Sequence, residues 1–170
     1  MKAPWINSYP EGVPSTISTD GYASLVDLLE KACQRYGSRV AMQSFGAQLT
    51  YAKLAEESAS FAKWLQSLGL EAGARVALML PNVLAYPVAL LGVLKAGCVV
   101  VNINPLCTPR ELGVQLRDSG ASVIVVFESV ADTLEQLTDC DALRHRVIVS
   151  PGDMLGALKS AVINFGARHL

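Results

Sequence analysis

Residues 75–112, RVALMLPNVLAYPVALLGVLKAGCVVVNINPLCTPREL, contain two unbroken apolar runs separated by an apolar stretch of helical length. The first run, Arg75-Val-Ala-Leu-Met-Leu80, has strand length and no polar alternation, as a strand buried on both faces requires. Pro81 opens a helix that reaches Lys95–Gly97, and Cys98–Ile103 is the next strand. Thr108-Pro109-Arg110-Glu111 then combines Thr at N-cap, Pro at N1 and Glu at N3, a capping box with a pre-set first turn. Its helix ends at Gly120, and Ala121–Phe127 is a further buried strand. Continuous apolar strands alternating with helices predict a doubly wound α/β fold, a mostly parallel sheet with helices on both faces.

Working outward, residues 1–20 form an extended, Pro-rich arm, and 21–170 make up the α/β unit. Ser24 starts a helix with Leu25, Leu28 and Leu29 at helical spacing, ended by Gly37. Val40–Phe45 and Gln48–Tyr51 read as a hairpin about Gly46. Thr50 caps a long helix whose face carries Leu54, Ser58, Phe61, Leu65 and Leu68, with Gly69 as the stop. Beyond the decisive stretch, Ser129 is read as the cap of a helix through Leu137, and Arg146–Val149 as a short strand. A last amphipathic helix, Met154–Arg168, aligns Leu155, Leu158, Val162 and Phe165. That stripe either stays uncovered, so that the chain self-associates, or folds back onto the sheet.

The totals narrow the function. With 170 residues, the chain is long enough for one ordinary domain with its own core. Lys and Arg number 14 against 15 Asp and Glu, and no basic run occurs, which argues against a nucleic-acid partner. Cys33, Cys98, Cys107 and Cys140 form no C-x-x-C pair and read as free thiols of a reducing cytosol. The N-terminus lacks the apolar core of a signal peptide. Val83–Val101 imitates a membrane span, but Lys95 near a bilayer centre would cost about 2.5–3.5 kcal/mol. A buried helix followed by a buried strand uses the same residues without that penalty.

Chemistry is harder to find. No G-x-G-x-x-G turn follows the first strand, and no G-x-S-x-G occurs. Gly92-Val-Leu-Lys-Ala-Gly97 has the glycine spacing of a phosphate loop, yet Cys98 and Val99 stand where Lys and Ser or Thr are required. His145 and His169, the only histidines, lack a carboxylate partner in sequence and read as surface residues. No metal-ligand spacing is present. A well-specified scaffold without catalytic residues is the expectation for part of a longer enzyme.

Several segments resemble the opening of bacterial long-chain fatty acyl-CoA ligases of the adenylate-forming superfamily. They are Arg75-Val-Ala-Leu-Met-Leu-Pro-Asn82, Tyr86-Pro-Val-Ala-Leu90, Val100-Val-Asn-Ile-Asn-Pro-Leu106, Thr108-Pro-Arg-Glu-Leu112 and Asp118-Ser-Gly-Ala-Ser122. The likeness runs the length of the chain, with Cys107 where that branch usually has tyrosine and Ala74 where an aspartate is common. It implies the N-terminal subdomain of an enzyme that uses ATP, Mg²⁺ and CoA to convert a fatty acid to acyl-CoA. It also implies a cytoplasmic enzyme whose partners are the rest of its own polypeptide, with peripheral contact at the inner face of the membrane. The family's phosphate loop, Mg²⁺ glutamate, ribose aspartate and lid lysine have no counterpart in 1–170. A free-standing interaction module on this scaffold, or a ligase for another carboxylic acid, are the competing readings.

One segment is expected to contribute to a site. Ligands of open parallel sheets gather at the carboxyl ends of the strands. The strand Cys98–Ile103 delivers Asn104, Pro105 and Leu106 there, and a helix N-terminus with unpaired N–H groups follows at Thr108. Arg110 at N2 opposes the helix dipole at a cost of about 0.3–1 kcal/mol. The resemblance implies that Asn104-Pro105-Leu106 faces the CoA nucleotide, with Arg110 meeting a phosphate. The plainer reading pairs Arg110 with an acidic neighbour.

Overall fold

The computed structural model describes residues 3–137 and 140–169. The ends of the chain, and the side chains of Ala157, Leu158, Ala167, Arg168 and His169, lie outside what is described. Residues Pro4–Ser8 form a 3-10 turn in an arm with no other regular structure up to the first helix.

Helix α1 spans Leu25–Tyr36. Ser24 caps it by accepting a hydrogen bond from Asp27 N, and Asp27 Oδ2 accepts from Ala23 N at 3.0 Å. Strands β1 (Val40–Ser44) and β2 (Ala47–Thr50) pair as an antiparallel hairpin. Its two-residue turn places Phe45 at φ 48° and Gly46 at φ 72°, the left-handed pair that suits strand twist. Helix α2 (Tyr51–Ser67) starts at Thr50, whose side chain accepts from Lys53 N. Strand β3 (Arg75–Met79), helix α3 (Ala85–Lys95), strand β4 (Val99–Asn102), helix α4 (Pro109–Ser119) and strand β5 (Val123–Phe127) follow. Helix α5 (Asp132–Glu135), strand β6 (His145–Val149) and helix α6 (Ala157–His169) complete the order.

The sheet runs β4-β3-β5-β6, all parallel. From β3 the chain first moves outward through α3 to β4, then crosses back through α4 to β5 on the other side. Both crossovers are right-handed by the rule for such units, so α3 and α4 must lie on opposite faces. The packing agrees. Val76, Leu78 and Leu80 meet Leu65 of α2 and Ala89 and Val93 of α3 on one face. Ala77, Met79, Ile124 and Val126 meet Leu112 and Leu116 of α4 on the other. The doubly wound expectation therefore holds, with α2 and α3 above the sheet and α4 and α5 below.

Two details position α3. A Cβ on Gly92 would lie 2.7 Å from Phe61 Cδ1 and 3.0 Å from Ser58 O, so only glycine lets α3 approach α2 this closely. Lys95, 11% exposed at its side chain, donates to Ala55 O at 3.4 Å and pairs with Glu30 Oε1 at 3.6 Å. The charge that argued against a bilayer thus ties α1, α2 and α3 together. Among the described residues no helix is long and apolar enough to cross a membrane.

Four expectations need correction. Helix α3 begins at Ala85, not Pro81, and Pro87 sits in its first turn, where its missing N–H has no intrahelical partner to lose. Ser129 does not cap a long helix: it lies in the 3-10 turn Glu128–Val130, and α5 is only four residues long. Strand β4 is an edge strand, with Val99 exposed, rather than a strand buried on both faces. Leu155 precedes α6 and is buried, together with partly buried Met154 and Ile163, against α1, α2 and α3 instead of the sheet.

Candidate functional site at the carboxyl edge of the sheet

The order β4-β3-β5-β6 places the reversal of winding between β3 and β5. The crevice of such a sheet opens outside the carboxyl ends of those two strands. Here that means Leu80-Pro81-Asn82 and Phe127-Glu128. The loop Asn104–Cys107 leaves the neighbouring edge strand at its carboxyl end.

The loop has a defined shape. Asn104 Oδ1 accepts from Leu106 N at 3.0 Å, and Cys107 N donates to Asn104 O at 3.0 Å, closing a tight turn. Pro105 is half-buried, whereas Leu106 at the apex is 85% exposed. Burial pushes the Cys107 thiol pKa up, with Glu111 adding to the rise, so Cys107 is a poor nucleophile. It is free, as are Cys33, Cys98 and Cys140.

Helix α4 begins with the expected capping box. Thr108 Oγ1 accepts from Glu111 N at 3.3 Å, while Glu111 Oε2 accepts from Thr108 N at 2.8 Å and from Thr108 Oγ1 at 2.9 Å. The hydrogen bond from Thr108 N, then that from its hydroxyl, lowers the Glu111 pKa below its ordinary value. This changes the anion-site argument. Glu111 brings its own negative charge to the helix start, two N–H groups are already used, and Pro109 has none. Attraction for a phosphate therefore rests on the Arg110 guanidinium, with only the Arg110 backbone N–H beside it.

Arg110 is exposed and lines a shallow groove with Thr108, Glu111, Val114 and Gln115. No ion pair joins it to an acidic side chain among the described residues. Asn104, Pro105, Leu106 and Arg110 thus share one exposed border of the sheet.

Two features had no obvious sequence signal. Tyr86 Oη donates to Asn102 Oδ1 at 3.1 Å, joining the first turn of α3 to the end of β4. An apolar groove of about 420 Å³ lies beside it, with Leu29, Met42, Leu54, Val83, Pro87 and Leu90 in its walls. Both depend on contacts between residues far apart in sequence.

The donors do not fit ATP phosphates or Mg²⁺. Among the described residues no three His, Cys, Asp or Glu come together to hold a metal ion. Gly92–Gly97 runs through α3 and its end, with Gly92 pressed against α2, so its glycine spacing serves packing. His145 opens β6 at the opposite, amino end of the strands.

The AMP-binding enzyme family profile matches residues 29–167. A long-chain-fatty-acid–CoA ligase of Escherichia coli O6:H1 is 49% identical over 171 residues, covering all of this chain and 30% of its own length. Its counterpart in Bacillus subtilis strain 168 is 36% identical over 152 residues, covering 89% of this chain and 27% of the relative. The chain therefore spans less than a third of these relatives, in their N-terminal part. Among solved structures, the anthranilate CoA ligase AuaEII in complex with anthranoyl-AMP superposes with a TM-score of 0.72. The two are 26% identical, over 75% of this chain and 25% of that one.

Proposed function

Because the chain belongs to the AMP-binding enzyme family, we propose that it is the N-terminal part of an ATP-dependent long-chain fatty acid–CoA ligase. In that reaction the fatty carboxylate attacks the α-phosphate of ATP and expels pyrophosphate. The CoA thiol then attacks the acyl carbonyl and expels AMP. The observation that carries the reading is 49% identity along the whole chain to a ligase of that name. The aryl ligase AuaEII stands at 26%, which makes an aryl acid the weaker choice of substrate.

Within such an enzyme residues 21–170 supply scaffold and one border of the site, with 1–20 as an arm. Asn104, Pro105 and Leu106 present a rigid turn to the CoA nucleotide, and Arg110 offers its guanidinium to a phosphate of CoA. ATP and Mg²⁺ are held by the rest of the polypeptide, the principal partner of this chain. The reading places the enzyme in the cytoplasm, where peripheral contact with the inner membrane face would bring it to its lipid substrate.

The 170-residue protein, given a long-chain fatty acid, Mg-ATP and CoA, is expected to release no pyrophosphate above blank. Turnover by the pure chain would overturn the reading. In the ligase that carries this sequence, Arg110→Ala should raise the KM for CoA and leave those for ATP and fatty acid nearly unchanged. All three constants staying put while thermal stability falls would make Arg110 structural.

A further inference from the structure

We infer that Tyr86 is a positioning residue for the Asn104–Leu106 loop, acting through Asn102. Strand β4 is only four residues long and is bonded on one side, to β3. Its last register pair is Asn102 with Leu78, and the final main-chain bond runs from Ile103 N to Leu78 O at 3.0 Å. From there to α4 the hydrogen bonds are local: Leu106 N to Asn104 Oδ1, Cys107 N to Asn104 O, and the Thr108–Glu111 box. Local bonds set the shape of a loop and leave open where it sits on the molecule.

Placement comes from Cys107, which packs on the α4-side cluster at the far end of the loop, and from the two faces of the strand end at its origin. Val101 and Ile103 pack against the cluster on the α4 side, with Ile103 buried. Alternation turns Asn102 to the opposite face, with Val100, toward α3. There an amide side chain meets the Tyr86 phenol at 3.1 Å, across 16 residues of sequence. The Tyr86 ring packs against the cluster formed by α2, α3 and the sheet, and also borders the apolar groove. The side chain is thus held by apolar packing at one end and grips the last strand residue at the other. Asn102 and Asn104 are two residues apart, so what fixes the first fixes the origin of the turn. The functional part of this inference rests on the proposed reading that the turn faces CoA.

The test separates the two claims. In the 170-residue protein, Tyr86→Phe keeps the ring and removes only the hydroxyl. Amide hydrogen exchange over residues 102–107 should rise about two- to tenfold, as expected for loss of one neutral hydrogen bond, with β3 and β5 unchanged. Asn102→Ala should give the same rise, and the double variant no more than either single one. Unchanged exchange over 102–107, or additive effects of the two substitutions, would overturn the assignment. In the ligase carrying this chain, Tyr86→Phe should raise the KM for CoA alone, about two- to tenfold. Faster exchange with every KM unmoved would leave Tyr86 as the strut of the turn and overturn the CoA-facing reading.

Discussion

In α4, Leu112 and Leu116 are 0% and 2% exposed. In α6, Val162 and Phe165, part of an equally regular stripe, stand 65% and 66% exposed. Helix α4 has a full capping box at one end and at the other Gly120 in the left-handed conformation (φ 62°), its N–H donating to Leu116 O. It lies over β3 and β5, the two central strands, so its apolar face meets a wall already built. Helix α6 follows the sheet's edge strand, and its Ile163 packs on the cluster of α1, α2 and α3 rather than on the sheet. Contacts of the helix include partly buried Ile163, beside Leu155, and Asn164, whose Oδ1 accepts from Gly152 N. Periodicity therefore states which side of a helix is apolar. Whether that side is covered depends on where the helix leaves the sheet.

The contrast is sharpest in the cores. Leu112→Ala should destabilise the protein by about 2–5 kcal/mol in denaturant unfolding, because it opens a cavity against Ala77 and Ile124. Val162→Ser in α6 should stay within about 0.5 kcal/mol. Equal losses would mean that the α6 stripe is covered in solution.

The caps give a smaller effect. Thr108→Ala should cost about 0.5–2 kcal/mol, since it leaves the Glu111 N–H without its acceptor. The partner bond has a pH signature. The folded Glu111 pKa is lowered from its ordinary value of 4.5, so its contribution is present above that value and fades as pH falls through the lowered one. Glu111→Gln should therefore flatten the acid limb of the stability profile. A profile identical to wild type would show that the box adds nothing.

The smallest energetic change carries the clearest surface readout. Val162→Ser should also reduce binding of a hydrophobic dye and any self-association seen in sedimentation, with little change in stability. Dye binding that persists unchanged would move attention from α6 to the groove around Met42 and Leu90.

Much of the fold was legible because its signals are local. Ser24, Thr50 and Thr108 act as the caps their chemistry suggests, and Gly120 stops α4 as expected. Where local signals misled, tertiary geometry had the last word. Pro81 looks like a helix start, but the chain needs residues 81–84 to climb from the sheet before α3 can lie over it. The run Cys98–Ile103 is as apolar as a central strand, yet strand order makes it an edge. Ser129 has the right side chain for a cap, but the turn there closes as a 3-10 helix. At the candidate site, position and resemblance are what single out Asn104, Pro105, Leu106 and Arg110 as the proposed contacts. Tyr86 could not be singled out that way, because a phenol near the start of an apolar helix gives no hint that Asn102 will stand beside it.

The strand order also sets a timetable for synthesis. Strand β3 needs neighbours on both sides, and they arrive unequally: β4 ends at Asn102, β5 at Phe127. A ribosome adding about 5–20 residues per second covers those 25 positions in about 1–5 s. For that interval the amides and carbonyls along one side of Arg75–Met79 stay open on the emerging chain, a template for any stray strand. The helix Pro109–Ser119, which carries Arg110, Glu111, Arg117 and Asp118, is made within this gap, before the β5 wall that it will cover.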